Sequence, residues 1–309
     1  MSVGAVWLNG RIIAGASARV AVTDRGLLYG DGLFETIRVY QRHPFLLPRH
    51  LGRLKRSARA LGIPVRGSPR YWHRVIDRVL AANRLTDANV RITLTRGSGE
   101  GLAPPPHPHP TMLVQARPLG PGLEAAQRGG VAVCLLPFDR GPVFLGGHKT
   151  LGYLPAVLGR REAHRRRVHD GLYVTPEGFV TEATTANVFA WHQNRLTTPR
   201  EGVLPGLARN LVIELANALG YWVEERPLPR ALLAAATEIF LTSSVVEVLP
   251  VLRVGSHPVG TGQPGPVTRA LQQAYSARVS RARVRQRKAI GTLNERQSVP
   301  PTTRAGRWR

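Results

Sequence analysis

The chain has 309 residues, 43% of them hydrophobic, which is enough apolar material for two ordinary cores and too much for a disordered polymer. Its formal charge of +24 raises nucleic acid as a partner, but no zinc-finger spacing, aromatic RNP-like strand or recognition-helix pattern accompanies it. The longest apolar runs, such as Val131 to Phe138, fall far short of the roughly 20 residues that cross a bilayer, and no basic leader with an apolar stretch opens the chain. One cysteine, Cys134, allows no internal disulfide, so the expectation is a cytoplasmic protein without a membrane span.

In chain order, Ala5 to Leu8 and Arg11 to Ile13 flank Asn9-Gly10, which predicts a β-hairpin. A strand is predicted over Leu33 to Tyr40. Leu51, Leu54, Ala58 and Leu61 recur at helical spacing between Pro48 and Gly62, and Trp72 to Asn83 gives a second helix. Val90 to Thr95 and Thr111 to Ala116 alternate as strands around the Pro-rich loop Ala103 to Pro110. Composition changes at Arg117-Pro118-Leu119-Gly120-Pro121-Gly122, so 118–129 is expected to link a small α+β domain, 1–117, to a larger α/β domain, 130–283. In the second domain, strands are predicted at Val131 to Pro137, Gly171 to Thr175, Phe179 to Glu182 and Val188 to Trp191. Pro205 and Gly220 bracket a helix with Leu207, Leu211, Leu215 and Leu219 on one face, and Pro264 to about Ser280 is the last helix. Ten Lys or Arg stand against the single acid Glu295 between Arg278 and Arg309. Residues 284–309 lose apolar periodicity and are expected to be a disordered basic tail, a solvated surface and not a nucleic-acid site.

Metal ligation is not expected: there is one cysteine, and His107 and His109 sit in a stiff Pro-Pro-Pro-His-Pro-His-Pro loop. Gly146-Gly147-His148-Lys149-Thr150 has His where a P-loop needs Gly before its lysine, and Gly97-Ser98-Gly99-Glu100-Gly101 misses the dinucleotide fingerprint.

The informative pieces are separated along the chain. They are Asp24-Arg25-Gly26 with Tyr29-Gly30-Asp31-Gly32-Leu33-Phe34-Glu35-Thr36; His50-Leu51-Gly52-Arg53-Leu54; His148-Lys149-Thr150-Leu151-Gly152-Tyr153; Thr181-Glu182-Ala183-Thr184-Thr185-Ala186-Asn187; Leu204-Pro205-Gly206-Leu207-Ala208-Arg209; and Phe240-Leu241-Thr242-Ser243-Ser244-Val245-Val246-Glu247. In order and spacing this set, roughly residues 5 to 280, resembles the class IV aminotransferases. The resemblance implies an α+β, two-domain, fold-type IV enzyme like the D-amino-acid aminotransferases, dependent on pyridoxal 5′-phosphate and working as a homodimer on small amino acids and 2-oxo acids.

By that resemblance Lys149 forms the Schiff base and moves the Cα proton, and Glu182 faces the pyridine nitrogen. Arg53, the amides of Leu207 and Ala208, and the hydroxyl of Ser244 cradle the phosphate, Tyr153 contacts the phenolic oxygen, Asn187 lies beside the pocket, and Ser243 is a further cofactor contact. Ala208 stands where many relatives carry Thr, which removes one hydroxyl. Phe34, Arg38, Arg96 and Val245 are the expected substrate contacts, and Arg25 and Arg91 are further candidates for a second anion. Thr36 replaces the glycine of branched-chain enzymes, and the strand Arg91 to Gly97 lacks their Tyr-x-Arg, which leans towards D-amino-acid or lyase branches. The expected reaction is amino transfer with a branched-chain or D-amino acid; the alternative is aminodeoxychorismate lyase, which releases pyruvate and 4-aminobenzoate.

Overall fold

A computed structural model describes residues 4–297. The chain opens with β1 (Ala5–Leu8) and β2 (Arg11–Ala14), paired antiparallel across Asn9 and Gly10, whose φ angles of 46° and 101° are those a two-residue hairpin turn demands. Then follow α1 (Arg25–Tyr29), β3 (Gly32–Tyr40), β4 (His43–Pro44), α2 (Leu47–Ala60), α3 (Pro69–Ala82), β5 (Ala88–Thr95) and β6 (Met112–Arg117). The strands form one sheet in the order β2-β1-β6-β5-β3-β4.

The period-two alternation of β3 decides what each side of this sheet does. Leu33, Ile37 and Val39 join Val90, Ile92 and Leu94 of β5 in a core with Leu51, Leu54 and Ala58 of α2 and Trp72, Ile76 and Leu80 of α3. Phe34 and Thr36 of β3, with Asn89 and Arg91 of β5, line a cavity on the other side. Thr36 stands directly opposite Arg91, and Arg38 opposite Asn89.

The expected linker is not bare chain, because α4 (Leu123–Gly129) lies within it and Gly120 to Leu123 line the same cavity. Beyond it come β7 (Val131–Leu135), α5 (Val143–Gly146), α6 (Leu154–Arg165), β8 (Asp170–Val174), β9 (Phe179–Ala183), β10 (Asn187–His192), β11 (Arg195–Thr198), α7 (Leu207–Ala218), β12 (Trp222–Glu225), β13 (Leu228–Pro229), α8 (Arg230–Ala235), β14 (Glu238–Ser243), β15 (Glu247–Val254), β16 (His257–Pro258) and α9 (Pro266–Gln297). The second sheet runs β12-β11-β10-β14-β15-β7-β8-β9-β13, with β16 on β15. A further pairing of β10 with β9, Asn187 opposite Glu182, closes β10-β14-β15-β7-β8-β9 into a ring.

The last helix differs from the sequence expectation. Val267, Leu271, Tyr275 and Val279 pack at four-residue spacing against Leu211, Phe240 and Val248, and this apolar stripe ends where expected. The helical backbone nonetheless continues to Gln297, past the start of the predicted disordered tail at 284. Arg, Gln, Lys, Ala and Glu are good helix formers, and no proline intervenes before Pro300, so local propensity carries the helix after its packing stripe stops. Residues 298–309 of that tail lie outside the described residues.

Candidate active site

Lys149 sits in the turn between α5 and α6, tied to the edge of β3: Phe34 N–H donates to the Lys149 carbonyl at 2.9 Å, and Leu151 N–H to that of Gly32 at 3.0 Å. Its Nζ lies 4.3 Å from the centre of the Phe34 ring and donates to Tyr153 Oη at 3.4 Å, while the Phe34 and Tyr153 rings meet edge to face at 5.0 Å. Burial, with the cation of Arg53 nearby, lowers the amine to about 8, although Glu35 and Glu182 pull the other way. A lysine so placed carries a substantial neutral fraction near neutrality, as carbonyl chemistry requires.

Glu182, on β9 at the closure of the ring, accepts from Asn187 Nδ2 and from Leu204 N–H, both at 3.0 Å, and pairs with Arg140 Nη1 at 2.9 Å. Burial pushes its carboxyl up to about 7 even against Arg140 and the Leu204 amide. Asn187 also donates to the Leu204 carbonyl at 2.9 Å, which fixes the approach to α7. Gly206 is required at that bend: a Cβ there would stand 2.0 Å from Asn187 Oδ1 and push the amide off Glu182. α7 then opens at Leu207 with no side-chain cap, leaving its first amides without an intrahelical partner beside the cavity.

Arg53 reaches the cavity from α2 and is held in a fork. Its Nε and Nη2 donate to the two oxygens of Glu35 at 2.8 Å each, and Nη1 donates to the Pro205 carbonyl at 3.1 Å. His50 Nδ1 lies 2.7 Å from Glu35 Oε2, and its Nε2 lies 3.4 Å from Ser244 Oγ. Burial works against the charge of Glu35, but the hydrogen bonds from Arg53 and His50 win and hold its carboxyl at about 2. The motifs contain Glu35 and His50, yet sequence reasoning gave them no role. The signal was present: Glu35 shares the parity of Leu33, Ile37 and Val39, so its carboxylate falls on the core face, where a charge persists only if paired.

The structure brings Lys149, Glu182, Arg53, Tyr153, Asn187, Leu207, Ala208, Ser243, Ser244, Phe34 and Val245 to one cavity of about 610 Å³. Two expected substrate contacts are corrected. Arg96, one residue past the end of β5, turns away: it pairs with Asp31 at 2.7 Å and donates to the carbonyls of Gly62 and Leu61. Arg38 is buried beside the cavity and braces its wall, donating from Nη1 to the Val245 carbonyl at 2.9 Å. Arg25 is likewise taken up by Asp31 and the carbonyls of Gly101, Leu102 and Ala103. Of the four arginines considered for a second anion, Arg91 is the one that lines the cavity, its guanidinium 3.6 Å from the centre of the Phe34 ring.

Residues 32–254 match the model of the amino-transferase class IV family. The chain belongs to this family. A putative branched-chain-amino-acid aminotransferase of Methanocaldococcus jannaschii is 35% identical over 275 residues, spanning 87% of this chain and 94% of that one. D-alanine aminotransferase of Bacillus licheniformis is 29% identical over 271 residues, spanning 87% and 95%. Among solved structures, the branched-chain amino acid aminotransferase of Escherichia coli superposes with a TM-score of 0.82 at 31% identity, over 89% of this chain and 94% of that one. The class IV chain described here is therefore a fold-type IV transaminase, and the lyase alternative is not favoured.

Proposed function

We propose that the chain transfers amino groups between a branched-chain or D-amino acid and a 2-oxo acid, using pyridoxal 5′-phosphate held by Lys149. The observation that carries this reading is the convergence of an amine of lowered basicity, a buried carboxylate and an anion cradle on one cavity. The donor set fits the cofactor. Arg53, the uncapped amides opening α7 and the Ser243 and Ser244 hydroxyls suit a phosphate, and the buried Thr242 Oγ1 beside them has no partner of its own.

When bound, pyridoxal phosphate supplies an electron sink and a carrier for the amino group. Lys149 would anchor it through Nζ and, once released, move the proton of the substrate Cα with the same atom. Glu182, kept in place by Asn187 and the Leu204 amide, would hold negative charge against the pyridine nitrogen. Arg53 cannot swing away while Glu35 grips two of its three nitrogens, Nε and Nη2. Val245, Val246, Leu123 and Ala126 give an aliphatic side chain an apolar wall, and Arg91 offers a carboxylate of the 2-oxo acid its guanidinium.

The chain acts as a cytoplasmic homodimer in this reading. Its sole cysteine is buried and free, and among the described residues no helix is long and apolar enough to cross a membrane. Leu27, Leu28 and Tyr29 of α1, with Leu154 and Val157 of α6, expose large apolar side chains that a second copy would cover.

Borohydride reduction of the yellow protein should fix the cofactor to the peptide bearing Lys149; an adduct on any other lysine overturns the assignment. Incubation with L-branched-chain amino acids, D-alanine or aminodeoxychorismate should give amino transfer to a 2-oxo acid. Release of 4-aminobenzoate without any such transfer would establish the lyase instead.

A further inference from the structure

The cluster behind the anion cradle holds more than an arginine clamp. His50 is 1% exposed and bridges the carboxylate of Glu35 on β3 and the hydroxyl of Ser244 in the turn between β14 and β15. Glu35 is a carboxylate and so only accepts; His50 Nδ1 must therefore carry the proton in the 2.7 Å contact. In the neutral ring that leaves Nε2 as an acceptor, and Ser244 satisfies it by donating its own hydroxyl hydrogen. The hydroxyl then turns lone pairs, not a hydrogen, towards the cavity, which is the wrong polarity for a dianion.

One added proton reverses this. With Nε2 protonated, His50 donates to Ser244 Oγ, and the Ser244 hydrogen is released to point at an anionic oxygen. We propose that His50 is a positioning residue that couples capture of a tetrahedral dianion at Ser244 to uptake of one proton from solvent onto His50 Nε2. No bond other than this N–H is made, and Glu35 keeps its charge and balances the imidazolium.

The surrounding groups set the direction of the coupling. Burial lowers the basicity of the imidazole, Glu35 from β3 raises it, and Arg53 on its own helix and Lys149 from the turn after α5 lower it. The ring is therefore neutral at pH 7 before an anion arrives. A dianion in the cavity adds negative charge on the Ser244 side and offsets the two cations, so the protonated state becomes accessible when the anion binds.

The inference rests on the cradle assignment in the proposed function, and sulfate is chosen as probe because it binds as a dianion and cannot itself take up the proton. Calorimetric titration of the full-length chain freed of cofactor, in two pH 7.5 buffers of different ionisation enthalpy, should show uptake of about one proton per sulfate bound. Affinity should fall by up to about tenfold per pH unit above neutrality.

Ser244→Ala removes the relay from its cavity end without disturbing the buried pair, and it should cut the uptake to at most the roughly quarter of a proton that the Lys149 amine, at about 8, can still take up at pH 7.5, with the pH slope flattened to match. His50→Gln places an amide N–H near Ser244, and it should bind sulfate with pH-independent affinity. Equal heats in both buffers, unchanged uptake in Ser244→Ala or absence of sulfate binding would overturn the proposal. Amino transfer by a chain that captures sulfate without proton uptake would leave the function standing and remove the relay; proton-linked capture in a chain that transfers nothing would do the reverse.

Discussion

The two ends of the cavity are built on opposite plans. At the end proposed to hold the phosphate, Arg53, Glu35 and His50 form a closed, buried cluster in which every charge is paired within 3 Å, anchored on a strand and a long helix. At the amine end, Lys149 hangs from a turn after the one-turn α5, flanked by exposed Val143, Phe144 and Leu145, and its nearest polar partner is a tyrosine hydroxyl 3.4 Å away. Binding a constant part of the cofactor rewards rigidity, whereas an amine that must form and release a bond needs a site that tolerates movement. The contrast predicts that damage at the amine end costs chemistry and damage at the phosphate end costs the fold.

The largest effect should come from Lys149→Ala, which removes amine and base together. Amino transfer should drop by at least about 10³-fold while thermal stability stays within about 1 kcal/mol of the parent. A stability loss matching the activity loss would show that the amine end is structural after all.

Glu35→Ala should do the opposite and destabilise the chain by about 3–5 kcal/mol in urea melts, since it strands Arg53 without its counter-charge and His50 Nδ1 without its acceptor. The acid limb gives a second check. The folded carboxyl of Glu35 lies near 2 against an ordinary 4.5, so its contribution of about 3 kcal/mol is complete above 4.5 and is lost as pH falls towards 2. Glu35→Gln should flatten stability over that window, and an unchanged acid limb would refute the assignment.

Much of this site was legible in sequence because its parts are local: Lys149, Glu182 and the Leu204 to Ala208 turn each sit in a short stretch whose spacing announces them. The choice among arginines was not. Arg91 and Arg96 lie five residues apart on one stretch, but β5 ends at Thr95, and Asp31, distant in sequence, captures the second. Arg38 shares the parity of Phe34 and Thr36, yet the Val245 carbonyl claims it. Strand parity was readable; which face meets the second sheet and which carbonyls wait there are tertiary facts. Glu35 shows the converse, a buried charge whose meaning the alternation contained. The ending of α9 lay beyond the expected one because periodicity reports packing, whereas past Ala282, which still packs on the core, and Arg283, which donates to Gln41, the helical backbone follows propensity.

Three smaller effects sharpen the comparison. Glu182→Gln should keep the fold and lower turnover by about 10²-fold, since the amide still meets Asn187 but carries no charge. At saturating cofactor, where affinity no longer limits, the rate of cofactor capture by wild-type chain should rise with pH up to about 8 and then level, because only the neutral amine of Lys149 reacts. A rate flat across this range would show that the amine is not the titrating group. Smallest of all, a chain cut after Arg283 retains the Val267, Leu271, Tyr275 and Val279 contacts, and its melting temperature should change by no more than a few degrees.

The closing seam of the second sheet carries a further consequence. Glu182 and Asn187 face each other on the strands whose single registered pairing completes the ring, and the same two side chains are joined by a hydrogen bond. Strand closure and the charge that Glu182 is proposed to offer the cofactor ring are thus one object. Gentle heating or dilute denaturant that parts β9 from β10 should alter the visible colour of the loaded protein before bulk helix content changes, which would make the chromophore an optical strain gauge for the barrel that contains it.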